Sequence, residues 1–412
     1  MHKRDVVIIG GGPAGLAAAV ELKKRGVDDI LIIEREKQPG GILRQCIHDG
    51  FGLTRFGQTL SGPEYSQRFI DEVEELQIEV LTNATVIDLT GDKIVTAAAR
   101  DGLIQVQAGA VILTMGCRER TRGALAIPGQ RPSGIYNAGV AQSYMNLYNT
   151  MVGKEVIIMG SGDIGLIMAR RMTLEGAHVK AVFEVLPYPS GLPRNIEQCL
   201  NDYNIPLYLS HSVINIKGDT RIEGVTVAEV GTDMKPVPGT EKDFPCDTLI
   251  LSVGLIPENE LSLAAGVTLD GRTKGAFVDE NYQTDVPGVF AAGNVLHVHD
   301  LVDFVSLEAE ALAAGVEEYL NCEGLPPCDI EIGTDCNIGH IIPQSVSGEK
   351  NFRMSMRVKR PMGRCRVVVS QGDTTVRSTV VPTAIPAEMI QFDVDAGNII
   401  SKEKIEVSVY EQ

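Results

Sequence analysis

Residues 10–15 read Gly-Gly-Gly-Pro-Ala-Gly, and Glu34 follows 19 residues after the last glycine; residues 160–165 read Gly-Ser-Gly-Asp-Ile-Gly, and Glu184 again follows 19 residues later. Each set has the chemistry of a dinucleotide site. Gly10 and Gly160 permit a tight turn, Gly12 and Gly162 let backbone approach a pyrophosphate, and Gly15 and Gly165 let helix and strand pack closely. Pro13 and Ala14, like Asp163 and Ile164, open the helix whose N-terminus faces the negative charge. The two acids can accept hydrogen bonds from ribose hydroxyls. A lone glycine pattern is weak evidence. Here an apolar strand (VVIIGG, EVIIMG) precedes each turn, and an Ala/Leu- or Met-rich helix and a second strand ending in the acid follow it. Two such units in one chain mean two dinucleotides, and the natural pair is a flavin that accepts a hydride and a nicotinamide that delivers it.

The other reactive side chains are cysteines and histidines. Cys46, in GGILRQCIHDGFG, has no second cysteine within thirty residues on either side, and residues 118–198 hold none. A redox dithiol therefore lacks its partner unless Cys117 approaches in space. Cys46 remains either a functional single thiol or a small buried hydrophobe. Cys322, Cys328, Cys336 and Cys365 are separated by five, seven and 28 residues, which matches no compact iron–sulfur motif.

These residues need a scaffold. At 412 residues the chain is long enough for two or three domains, and its formal net charge of −17 argues against nucleic acid and anionic membrane as partners. No stretch has transmembrane length, and cytoplasmic location is expected. From residue 330 the pattern changes to alternation: Phe352, Met354, Met356 and Val358 alternate with polar residues, as do Ile405, Val407 and Val409. That period of two predicts a small β-sandwich over 330–412. Arg353, Arg357, Lys359 and Arg360 on this stretch are either a docking surface or a solvated strand face.

Three further segments carry a resemblance. TDVPGVFAAGN (residues 284–294), VILTMG (111–116) and DTLILSVGLIPE (247–258) resemble motifs of the two-dinucleotide-domain flavoprotein reductases, the group of glutathione and thioredoxin reductases. The resemblance covers residue 1 to about 325. It implies an α/β fold with two Rossmann-like dinucleotide-binding domains, the second inserted in the first. FAD would bind residues 1–117 and 285–325, and NAD(H) residues 118–284. Beyond the first glycine turn it places Gly41, Val86, Gly116, Gly293 and Asn294 on the FAD; beyond the second turn it places Gly254 on the nicotinamide dinucleotide. In that group an Asp contacts the flavin ribityl chain where this chain has Asn294, whose carbonyl can still accept a hydroxyl's hydrogen bond. His48, His297 and His299 would then gather at the flavin, for proton delivery or as satisfied polar neighbours. Cys46 and His48 are the candidate catalytic residues. No metal site is expected, because His-Val-His on a loop does not define ligand geometry.

GGILRQCIHDGFG, TMGCRERTRG, GSGDIGLIMARRMTLEG and AAGNVLHVHDLVDFVS are similar to a narrower set, the flavoproteins that accompany glycerol-3-phosphate dehydrogenase. Their relatives include the larger subunits of sarcosine oxidase, opine oxidase and hydrogen cyanide synthase. That resemblance implies an oxidoreductase that exchanges a hydride between NAD(H) and FAD and passes electrons to or from a partner redox subunit or small acceptor. The alternatives are a non-catalytic flavoprotein subunit and a self-sufficient amine or hydroxy-acid oxidase. Oligomerisation is left open.

Overall fold

Val6, Val7, Ile8 and Ile9 form a run without a polar side chain, which is stable only as a strand covered on both faces. All four are buried in the structure, a computed structural model that describes residues 2–322 and 324–412. Strand His2–Ile9 lies inside a seven-stranded sheet in the order Glu79–Leu81, Ile30–Ile33, His2–Ile9, Gly102–Leu113, Ile94–Ala99, Thr85–Leu89, with Val289–Ala291 also paired to Gly102–Leu113. The pairings around His2–Ile9 are parallel, so each strand there ends on the same edge. Helices Pro13–Lys24, Gly62–Glu75 and Val302–Asn321 supply the core on one face through Leu16, Phe69 and Leu312.

The chain divides into two compact units, Met1–Cys117 with Pro257–Gln412, and Arg118–Ile256. Residues 257–284, which the resemblance puts with the nicotinamide dinucleotide, fall in the first unit. Ala265, Val267, Ala276 and Val278 bury against Val7, Ile9 and Val111 on the second face of the large sheet. An apolar segment between two domains fits either core by composition, and this one covers a sheet face that needs covering.

The inserted unit repeats the architecture with a five-stranded parallel sheet in the order Ile135–Asn137, Thr248–Leu251, Glu155–Met159, His178–Phe183, Leu207–Tyr208. Helix Asp163–Leu174 packs Leu166, Met168 and Met172 into its core. A three-stranded antiparallel sheet, His211–Lys217, Gly224–Glu229 and Lys242–Pro245, completes it.

The tail is a β-sandwich within the first unit. A five-stranded sheet (Ser345–Val346, Ile330–Thr334, Ile405–Glu411, Cys365–Gln371, Thr374–Val381) and a three-stranded one (Ile338–Ile342, Phe352–Val358, Ile390–Val394) share a core that holds Met354, Met356, Val367, Val369 and Val407. Cys365 is buried in that core, in phase with Val367 and Val369. The sandwich is sewn to the seven-stranded sheet's side of the unit: Ile342 enters the core on its second face, and the Ser347 hydroxyl donates to Glu280. Arg357 donates to Val298 O and Asp300 Oδ1 at 3.2 and 3.0 Å. Three of the four cations on this stretch take part in ion pairs. Arg357 turns inward to a nearly buried ion pair, Arg353 pairs with Asp393, and Arg360 pairs with Glu411. Among the described residues no helix is long and apolar enough to cross a membrane.

Candidate cofactor-binding sites

Strand His2–Ile9 turns into helix Pro13–Lys24 through glycines with two different duties. At Gly10, whose φ is +110°, a Cβ would lie 2.5 Å from Thr114 O; at Gly15 it would lie 1.9 Å from Gly10 O. Backbone approaches backbone there, and only glycine fits. Gly12 is different. A Cβ on it would meet only Gly41 Cα at 3.9 Å, and Gly41 itself stands at φ +58° with Gly12 Cα 3.0 Å from its own notional Cβ. These two glycines line an open cradle at the end of a helix that carries Pro13 at its start and no acid in its first turn. A pyrophosphate fits such a cradle, because unpaired backbone N–H groups and the helix dipole both favour negative charge. Ala14 Cβ lies 3.0 Å from the notional Cβ of Gly293, so the late segment returns to this cradle.

Glu34 ends strand Ile30–Ile33 and is buried. Its Oε2 accepts Gly11 N–H at 2.7 Å and its Oε1 accepts Glu36 N–H at 2.8 Å. Carboxylate and glycine turn therefore hold each other in place, with lone pairs to spare for a ribose. Ala84 N–H donates to Glu34 O, which brings the start of strand Thr85–Leu89 alongside; Val86 packs partly buried against the second face of the sheet. Gly116, at φ +73°, follows strand Gly102–Leu113 with open space around it.

The inserted unit builds the same device from other neighbours. A Cβ on Gly160 (φ +95°) would lie 2.0 Å from Ser252 O, and one on Gly165 would lie 2.6 Å from Ser252 Cβ. Gly162 has nothing nearer than Ser252 Oγ at 3.3 Å. Buried Glu184 ends strand His178–Phe183 and collects Ser161 N–H, the Ser161 hydroxyl and the Ser190 hydroxyl on Oε2, at 2.9, 2.6 and 2.8 Å, and Leu186 N–H on Oε1. Asp163 begins the helix and accepts Leu192 N–H and the Asn195 amide at 2.8 and 2.6 Å. Ile164 packs against the unit's core, and Gly254 stands at φ +100° in open space.

The cysteine of the first loop is half-buried. Its thiol donates to Ile42 O at 3.4 Å, its carbonyl accepts Gly62 N–H, and burial pushes the thiol up to about 12. A nucleophilic thiol is deprotonated and stands in electropositive surroundings. Burial of the Cys46 thiol works against that ionisation. None of the eight cysteines forms a disulfide among the described residues. His48 Nδ1 lies 3.0 Å from Asp49 O, and its ring rests on Phe51. Asn294 Oδ1 accepts His299 N–H at 3.0 Å while its amide faces Cys117 Sγ at 3.7 Å, so the side chain organises its own segment as well as any ligand.

Sequence reasoning missed two acids here. Asp303, at the start of helix Val302–Asn321, accepts the N–H groups of Gly52, Thr54 and Arg55 at 2.9, 3.0 and 2.8 Å. Glu308, on the same helix, accepts Gly293 N–H at 2.8 Å and meets His297 Nε2 at 2.7 Å. His297 and His299 thus face an acid as well as the late segment. The available signal was Glu308 itself, an acid on the same helix face as Val305, Ala309 and Leu312.

The family model for pyridine nucleotide-disulphide oxidoreductases matches residues 4–313. The chain is 25% identical over 362 residues to the glutamate synthase [NADPH] small chain of Mycobacterium tuberculosis, covering 80% of this chain and 69% of that one. It is 23% identical over 401 residues to hydrogen cyanide synthase subunit HcnB of Pseudomonas aeruginosa, covering 90% and 81%. Among solved structures, thioredoxin reductase of T. acidophilum superposes with a TM-score of 0.63 at 24% identity, over 77% of this chain and 98% of that one, which shows a shared fold. The matched region contains both glycine turns, both acids and the late segment, and the chain belongs to the pyridine nucleotide-disulphide oxidoreductase family as an FAD- and NAD(P)-dependent oxidoreductase.

Proposed function

We propose that the chain is a cytoplasmic FAD-dependent NAD(H) oxidoreductase that passes electrons to or from a separate redox subunit, of the type that accompanies glycerol-3-phosphate dehydrogenase. When bound, the two dinucleotides supply hydride exchange between nicotinamide and flavin. Gly12, Gly41 and the start of helix Pro13–Lys24 hold the FAD pyrophosphate, and Glu34 its adenosine ribose. Gly162 and the start of helix Asp163–Leu174 hold the nicotinamide dinucleotide. Glu184 takes its ribose, and its carboxylate disfavours a 2′-phosphate; no Lys or Arg follows before Arg194.

The observation that carries the reading is the coexistence of two complete glycine-turn-and-acid devices with eight cysteines that form no disulfide among the described residues. A family member without a dithiol needs another exit for its electrons. The names of its relatives, a small chain and a subunit, support a protein partner. The test is steady-state turnover of the purified chain with an artificial electron-accepting dye. NADH should drive dye reduction, NADPH should do so at least about tenfold less efficiently, and candidate natural small molecules should be poor acceptors until the redox subunit is added. A chain that oxidises an amine or hydroxy acid with dye and without any nicotinamide would overturn the proposal in favour of a self-sufficient oxidase.

A further inference from the structure

Two imidazoles and a carboxylate meet in the interior of the first unit, behind the segment that carries Gly293 and Asn294. The side chains of His297, His299 and Glu308 are 0%, 1% and 4% exposed. Glu308 Oε2 lies 2.7 Å from His297 Nε2 and 3.3 Å from His299 Nε2, and one donor atom from each residue falls within 4.8 Å of the others. A third imidazole, His340 from strand Ile338–Ile342 of the sandwich, stands with its ring 5.7 Å from that of His297.

The protons do not balance by hydrogen bonding alone. A carboxylate oxygen offers only lone pairs, so each imidazole nitrogen facing it must bring a hydrogen or share a cation with it. His297 Nε2 can bring one. His299 Nε2 is fully buried, aims at the same oxygen, and makes no hydrogen bond there or elsewhere among the described residues. The other nitrogen of that ring, Nδ1, lies 3.4 Å from Asn294 Oδ1, an acceptor that draws the ring's single proton to that side. A neutral His299 then turns a lone pair toward a carboxylate in a dry site, which is repulsive. His297 Nδ1 and His340 Nε2 are buried without partners as well. Native interiors rarely leave such groups unpaired, and an unseen ion or water is among the usual reasons.

A metal ion shared by the two imidazoles and the carboxylate would close the gap, and the geometry favours it: one donor atom from each of the three residues falls within 4.8 Å of the others, and the ring of His340 stands beside them. Imidazole and carboxylate together are ordinary ligands of transition metals. The charge on Arg357 is already taken up by Asp300 at 3.0 Å.

We propose that His297, His299 and Glu308 bind one divalent transition-metal ion of the zinc class, with His340 as the further imidazole beside it. Two imidazoles and one carboxylate are a common three-ligand set for zinc, and donors about 2 Å from a tetrahedral centre stand about 3.3 Å apart. His299 Nε2 and Glu308 Oε2 have that separation, while the His297 contact must open by about half an ångström. Outer partners are in place, since Gly293 N–H holds Glu308 Oε1 and Asn294 Oδ1 faces His299 Nδ1. The ion ties the late segment to helix Val302–Asn321. Its burial gives it a structural role.

The test is metal analysis of the full-length protein, expressed without a histidine tag and passed through gel filtration. About one equivalent of zinc, iron, cobalt or nickel per chain is expected, and X-ray absorption at that metal's edge should show imidazole scattering with nitrogen and oxygen donors at about 2.0–2.1 Å. His299→Ala and Glu308→Gln should each lose at least about tenfold in metal content. The wild-type edge spectrum decides the matter even if a variant folds poorly. Less than about a tenth of an equivalent in protein from metal-supplemented medium, with no uptake on refolding in zinc, would overturn the proposal. So would metal that persists in both variants, or side-chain nitrogen resonances that show His299 doubly protonated.

Discussion

Glu34 takes one backbone hydrogen bond on each oxygen, whereas Glu184 takes three on Oε2 alone, two of them from the hydroxyls of Ser161 and Ser190. The helix after the first glycine turn opens with Pro13 and no acid; the helix after the second opens with Asp163. A carboxylate at a helix N-terminus offsets the partial charge that would otherwise attract phosphate, by about 0.3–1 kcal/mol. The first cradle also receives Gly293 from the late segment, in a unit braced by the sandwich. We propose that the first device keeps its dinucleotide, a resident FAD, and that the second exchanges its own, a visiting NAD(H).

The bracing should give the largest effect. Arg357→Met strands Asp300 in a nearly buried site and should cost about 3–5 kcal/mol. Thermal unfolding followed by flavin release should fall sharply, with NADH binding by the surviving fold unchanged. The double variant Arg357→Met/Asp300→Asn should recover part of the loss. Equal loss of both cofactors would mean that the sandwich supports the two devices alike. On the same logic, deleting residues 330–412 should cost the protein its FAD.

Gly15→Ala comes next. Its Cβ would lie 1.9 Å from a backbone oxygen, while that of Gly165→Ala meets a serine side chain at 2.6 Å. Overpacking against backbone costs about 3 kcal/mol, near a 100-fold loss of FAD retention; against Ser252 about 1 kcal/mol is expected in NADH affinity. Flavin content per chain and NADH titration read the two. Glu184→Gln removes the charge and can keep its amide oxygen on the Ser161 and Ser190 donors while losing the acceptor for Leu186 N–H, so the preference for NADH over NADPH should shrink about tenfold in kcat/KM. Asp163→Asn keeps an acceptor for Leu192 and Asn195 and removes the opposing charge, which should lower KM for NADH about two- to fivefold. A rise in KM would show that the carboxylate's role is to hold the 192–195 segment. Cys46→Ser should leave flavin reduction by NADH within about twofold, since hydride exchange between nicotinamide and flavin needs no thiol.

Both glycine turns were legible because covalent spacing forces strand, turn, helix and acid into one geometry. The buried face of strand Phe352–Val358 was legible for a similar reason, since period two sends alternate side chains to one side. Arg357 was misread by that same rule. Alternation says which residues share a face, and a face turned from the sandwich core can still be covered by another part of the unit. Val267, Ala276 and Val278 carry no mark in the sequence of which core they join. The meeting of His297, His299 and Glu308 depends on how a loop folds back on its helix, and side-chain type alone does not report that.

The most direct test of the division of labour is an anaerobic titration of the purified chain with NADH, followed by gel filtration. The account predicts that about one equivalent of NADH bleaches the flavin's visible band. The reduced flavin should then elute with the protein and the oxidised nicotinamide should elute free. A flavin that stays oxidised under excess NADH while remaining bound would contradict it, and would make the second device a relic in a non-catalytic subunit.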